Sequence, residues 1–235
     1  MQPEMQYNPN PAVLAGGDVA ARSAQKVLRN TYMLLAMTLL FSAVMAGVSM
    51  AMAVPYGMSL GANLIALALL WFVVPRTAQS GAGIAVVFAV TGLLGFGLGP
   101  LLNHYLGLAN GTQIVMLALG ITGVTFTGLS AYALISRRDF SFMRSFLMVG
   151  VMIAFIAGIV SLVAALVGYP MPALALTVSA MFAFLMCGMI LYQTGEIVNG
   201  GETNYVLATV SLYVAIYNLF VSLLQLLGAF MGDRD

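Results

Sequence analysis

Charge is what this chain lacks most: 6% of its 235 residues are Asp, Glu, Lys or Arg, while 62% are hydrophobic. A soluble domain carries about a quarter charged residues, so this chain cannot cover an aqueous surface with polar groups. With one cysteine, Cys187, a disulfide framework is excluded. With one histidine, His104, there are two His and Cys side chains in all, whereas a zinc-type site uses about four ligands. No metal and no cofactor is therefore expected, and His104 reads as a polar residue at a membrane interface. The net charge of +1 supplies no basic field for nucleic acid and no acidic tail. The class left is an all-α membrane protein whose main environment is the lipid bilayer.

The charges that exist are unevenly spaced. Residues 30–75, 77–136, 145–195 and 203–232 form charge-free gaps of 46, 60, 51 and 30 residues. A spanning helix needs about 20 apolar residues, so the first three gaps hold two spans each and the last holds one. Turn residues divide the long gaps at Val54-Pro55-Tyr56-Gly57, between Asn103 and Gln113, and at Gly168-Tyr169-Pro170-Met171-Pro172. A seven-transmembrane-helix bundle follows, with spans near 31–53, 58–74, 84–102, 113–135, 146–167, 173–194 and 205–230. Residues 26–231 form this membrane domain, and residues 1–25 read as a flexible cytoplasmic tail rich in Pro, Asn and Gly.

Lysine and arginine gather on the cytoplasmic side of membrane proteins. With the N-terminus inside, Arg22, Lys26, Arg29, Arg76, Arg137, Arg138 and Arg144 all fall on that side, and Arg234 alone falls outside. The expected orientation is N-terminus cytoplasmic and C-terminus periplasmic. Ala51-Met52-Ala53 looks like a signal-peptide cleavage site. However, the apolar run before it is about 22 residues, longer than the usual 7–15.

No loop has room for a soluble catalytic domain. Intramembrane proteolysis needs either paired Asp residues sharing a proton or a facing Ser and His. No span contains Asp, and Ser130 and His104 fall at opposite ends of one helical hairpin, so no enzyme activity is expected.

Small residues recur at four-residue spacing, as Ala43, Gly47 and Ala51 and as Gly95 and Gly99, a pattern that brings helix backbones close together. Gly95, Gly97, Gly99 and Pro100 in TGLLGFGLGP also allow a second reading, a broken helix covered by protein or a water-filled cavity. In the seventh span Asn204, Ala208, Ser211, Ala215, Asn218, Ser222 and Gln225 lie three or four residues apart. Such a polar stripe must face the bundle interior. It serves either interhelical hydrogen bonds, worth about 0.6 kcal/mol each, or a lined cavity or ion path. Glu196 and Glu202 lie in the inner loop before this span, where Glu196 is either a solvated acid or a proton or cation ligand at a vestibule.

KVLRNTYMLLAMTLLFSA, TGLLGFGLGP, LSAYALISRRDFSFM and above all GGETNYVLATVSLYVAIYNLFVSLL resemble the Bax inhibitor-1 family in its bacterial YccA branch. The resemblance runs from about residue 26 to about residue 227. It implies a bundle with the last helix at its centre and residence in the bacterial inner membrane. It also implies association with FtsH, the membrane-anchored ATP-dependent protease, as a modulator that restrains degradation of other membrane proteins. The N-terminal tail would then suit capture by a protease that threads an unfolded end. Other branches resemble pH-sensitive calcium leak channels that use two Asp residues. At the matching positions this chain has Gln193, between Tyr192 and Thr194, and Ala215, within SLYVAIYN. Two carboxylates sharing a proton can switch with pH; Gln and Ala cannot. A cation or proton leak through Ser211, Asn218 and Glu196 is the alternative function, and small-molecule transport a third.

Overall fold

The computed structural model describes residues 11–232, with side chains from Arg22 onward. Among the described residues, seven helices are long and apolar enough to cross a membrane. They are α1 (Pro11–Ala51), α2 (Tyr56–Thr77), α3 (Ala82–Leu106), α4 (Gly111–Ser136), α5 (Met143–Leu166), α6 (Pro172–Val198) and α7 (Tyr205–Met231). Residues 1–10 of the expected N-terminal tail lie outside the described residues. From Pro11 onward the chain is already helix, continuous with the first span.

Turn chemistry sets the helix ends. Beyond α6, the Gly201 N–H bonds the Glu196 carbonyl at 2.8 Å and the Gly200 N–H bonds the Ile197 carbonyl at 3.3 Å, with Gly200 at φ +76°. This paired closure satisfies carbonyls left over at a helix C-terminus and favours glycine at the left-handed position. Gly168 (φ +90°) closes α5 in the same way, through the Tyr169 N–H to Ala164 O bond of 2.9 Å. In α2, residues Leu69–Val73 widen into a π turn just before Pro75. Proline has no N–H for the carbonyl of Trp71 and its ring crowds that group, which the wider turn accommodates.

A second proline produces no such change. α3 runs unbroken through Gly95, Gly97, Gly99 and Pro100, so the broken-helix reading gives way to close packing. A Cβ added at Gly95 would lie 2.3 Å from the Ser42 carbonyl oxygen, and one at Gly99 would lie 2.1 Å from Ser49 Oγ. At Gly97 it would meet Asn63 Oδ1 at 2.0 Å. Gly95 and Gly99 thus face α1, while Gly97, on the other side of the helix, faces α2. Ser59 donates to the Gly97 carbonyl at 2.5 Å, close to the hydrogen bond that Pro100 cannot make.

α7 is the axis of the bundle, touching α1, α3, α4 and α6. Its most apolar stretch is 61% buried, against 11% for α5, which leans chiefly on α6. Burial of α7 is dense around Leu212, Tyr213, Ala215, Leu219 and Leu224, each no more than 2% exposed. Met33, Leu40, Trp71, Val124, Ile135 and Met152 point outward; in a bilayer such side chains meet acyl chains, which carry no penalty for apolar contact.

Candidate functional site

The polar stripe of α7 is divided by the packing. At the end where α6 joins α7, a cavity of about 360 Å³ is lined by Arg144, Tyr192, Gln193, Glu196, Glu202 and Ser211, among others. At the opposite end a second cavity of about 360 Å³ holds Asn218, Ser222 and Gln225 together with Ser179 and Ser161. The two cavities share no lining residue. Between them lies a packed layer of Ala154, Leu185, Met186 and Ala215, none more than 4% exposed. One face of a helix holds the whole stripe, yet α6 closes over its middle because Ala215 offers no polar group to keep water there.

Each expected stripe residue has its own role. Asn204 is the N-cap of α7: its Oδ1 accepts from the N–H groups of Val206 at 2.9 Å and Leu207 at 3.3 Å. Its Nδ2 donates to the Ala78 carbonyl at 3.0 Å, tying α7 to the α2–α3 turn. Asn204 therefore belongs to the helix end and lines neither of the two cavities. Asn218 Nδ2 donates within α7 to Val214 O at 2.8 Å. Gln225 Oε1 accepts from Ser179 Oγ of α6 at 2.5 Å. Those two bonds are the structural use of polar side chains in a membrane helix, while Ser211 opens on the first cavity.

Glu196 sits on the last turns of α6, since that helix continues to Val198 instead of ending at the membrane surface. It lines the first cavity together with Arg144, from the first turn of α5. Gln193, one turn earlier, has its Oε1 buried with no hydrogen-bond partner. In the neighbouring α4–α5 loop, Asp139 accepts from the Ser141 N–H at 2.7 Å. Those Ser141 hydrogen bonds hold the Asp139 carboxyl below the usual carboxylate range. Asn199 Nδ2 donates to the Arg138 carbonyl at 3.1 Å and links this loop to the α6–α7 turn.

A model of the family described as inhibitor of apoptosis-promoting Bax1 matches residues 24–232. The chain belongs to the Bax inhibitor-1 family. It is 45% identical over 213 residues to the modulator of FtsH protease YccA of Escherichia coli K12, covering 91% of this chain and 93% of that one. It is also 45% identical over 230 residues to an uncharacterized protein of Pseudomonas aeruginosa, covering 98% and 99%. An uncharacterized membrane protein of Vibrio cholerae is 45% identical over 210 residues, covering 89% and 92%.

For a Bax inhibitor-1 protein, the two positions at which the resemblance expects acids are differently placed here. Gln193 faces the first cavity, and Ala215 is 1% exposed in the layer above it. Neither residue carries a titratable side chain. Among the described residues no group of three or more His, Cys, Asp or Glu side chains could hold a metal ion. His104 is exposed in the last turn of α3, and Ser130 is buried beside the Thr194 hydroxyl at 3.5 Å.

Sequence reasoning missed the centre of the molecule. Tyr213, 1% exposed, has its hydroxyl 2.6 Å from Ser42 Oγ and donates to the Thr91 carbonyl at 3.2 Å. This joins α7 to α1 and α3 in one buried polar network. The signal was a tyrosine midway along an apolar span, where its hydroxyl needs a partner. In the sequence Arg144 bears on orientation only, and its place on the first cavity depends on how α5 docks on α6.

Proposed function

We propose that this chain is a non-enzymatic modulator of FtsH in the bacterial inner membrane, binding the protease and restraining its degradation of other membrane proteins. The observation that carries this reading is the 45% identity, over 91% of the chain, to the E. coli protein named modulator of FtsH protease. The architecture supports it. The longest connections between the described helices are residues 137–142 and 199–204, six residues each. With so little outside the bilayer, the chain acts through helix faces and short loops. We take its N-terminus as cytoplasmic and its C-terminus as periplasmic from the distribution of Lys and Arg, an orientation in which residues 1–20 face the cytoplasm. The two separate cavities and the absence of acids at residues 193 and 215 disfavour a pH-gated calcium leak.

The test is crosslinking and co-purification with FtsH from native membranes, scored with degradation of a second membrane substrate. Association, together with slower degradation when this chain is in excess, is expected. No association and unchanged proteolysis would overturn the reading, and calcium or proton flux in reconstituted vesicles would then replace it with the leak. Deleting residues 1–20 is expected to slow the chain's own turnover by FtsH; unchanged turnover removes the tail from the mechanism.

A further inference from the structure

We infer that the basic end of the α1–α4 cleft is a binding site for the headgroup of an anionic phospholipid. The inference stands on α1 and α4 alone and does not depend on the FtsH reading. Arg22, Lys26 and Arg29 of α1, with Leu28 and Tyr32, and Leu134 of α4, line a groove of about 680 Å³. Their spacing of four and three residues places the three cations on one helical face. No acidic side chain lines the groove among the described residues.

Cytoplasmic enrichment of Lys and Arg would by itself explain charges at this end. It explains neither the concave shape nor the state of Tyr32. The Tyr32 hydroxyl is buried without a hydrogen-bond partner although the residue lines the groove. Its ring lies against Phe126 of α4, with centroids 5.9 Å apart. Buried hydroxyls normally have partners. Turning the Tyr32 ring toward the groove would bring that hydroxyl to the strong acceptor oxygens of a phosphate, and charge-assisted hydrogen bonds are the strong ones.

The walls point to a lipid and not to free phosphate. Leu28 and Leu134 make the groove amphipathic. Exposed Met33, Met37 and Leu40 on α1 and Ile135 on α4 continue from it as an apolar surface for acyl chains. Basic pockets between transmembrane helices recognise anionic headgroups in this way.

The experiment uses the full chain, purified, delipidated and loaded with phosphatidylglycerol or phosphatidylethanolamine, with retained lipid read by native mass spectrometry. Wild type is expected to retain phosphatidylglycerol preferentially. Lys26→Gln and Arg29→Gln should each weaken that retention about fivefold and leave phosphatidylethanolamine unchanged. Tyr32→Phe should weaken it as well, without loss of charge. Arg76→Gln, which removes one charge from α2 outside the groove, should have no effect. Equal loss from Arg76→Gln and Lys26→Gln would reduce the effect to general charge and overturn the site. So would equal retention of the two lipids, or full displacement by millimolar inorganic phosphate, which would make it a free-anion site. Because each variant changes one exposed or half-buried side chain, folding is checked by helical circular dichroism before lipid is scored.

Discussion

Replacing Gly95 by alanine tests the contact that brings α1 onto α3. An added Cβ would lie 2.3 Å from the Ser42 carbonyl oxygen, 2.6 Å from its Oγ and 2.8 Å from its carbonyl carbon. Two of those atoms are backbone, so no rotamer change relieves the clash, and α1 must retreat by about 1 Å to reach ordinary contact. Overpacking of this kind costs about 1–3 kcal/mol. The shift also strains the Ser42–Tyr213 hydrogen bond of 2.6 Å, a further loss of about 0.5–1.5 kcal/mol. Against this, alanine is a better helix former than glycine by about 1 kcal/mol. The net expectation is destabilisation by about 0.5–3.5 kcal/mol. Gly123→Ala on α4 is the internal control, because nothing lies within 4 Å of the added Cβ and the propensity gain is unopposed. Reversible unfolding of both variants in the same micelles reads the difference. Equal stability of the two, or a more stable Gly95→Ala, would refute the close-packing account of the TGLLGFGLGP segment.

Asn204→Ala removes the cap of α7 and its bond to Ala78, and should cost about 0.5–2 kcal/mol in the same unfolding assay; Asn204→Asp keeps the cap and should cost less. Tyr213→Phe leaves the buried Ser42 hydroxyl without its Tyr213 partner, and a loss of about 1–3 kcal/mol is expected; a neutral result would mean that the network is not formed. Asp139 has a lowered carboxyl pKa because of Ser141. A group depressed on folding stabilises above its unfolded pKa, and that contribution disappears as pH falls through the folded value. Carboxyl titration by NMR should place Asp139 below an ordinary aspartate, and Ser141→Ala, which removes the side-chain bond, should move it back upward.

The seven spans were legible because a charge gap needs no knowledge of packing. Each expected span coincides with a helix to within about one turn, apart from α1, which extends to Pro11 on its N-terminal side. Glu196 shows where such reading stops. Hydropathy ends a span at the last apolar run, whereas the backbone stays helical until the Gly200 closure, so an expected loop acid became a helix residue facing a cavity. The stripe on α7 was equally visible, and its inward orientation follows from the cost of facing lipid. Its division was not visible, because the layer of Ala154, Leu185 and Met186 comes from α5 and α6.

By itself, then, the sequence determined the environment, the number of spans and the polar stripe along the last helix. These are sums over single residues: transfer of apolar groups into lipid, the three- to four-residue repeat of a helix, and the cost of each polar group in hydrocarbon. Tertiary structure alone decided that the glycines of α3 pack against α1 and α2, that Asn204 is a cap, that Tyr213 joins three helices and that Arg22, Lys26 and Arg29 border a groove lined by Tyr32. Those facts depend on pairs of residues distant in the chain, and helices in a bilayer choose partners by close fit of backbone and side chain, a property of two surfaces that neither segment carries alone.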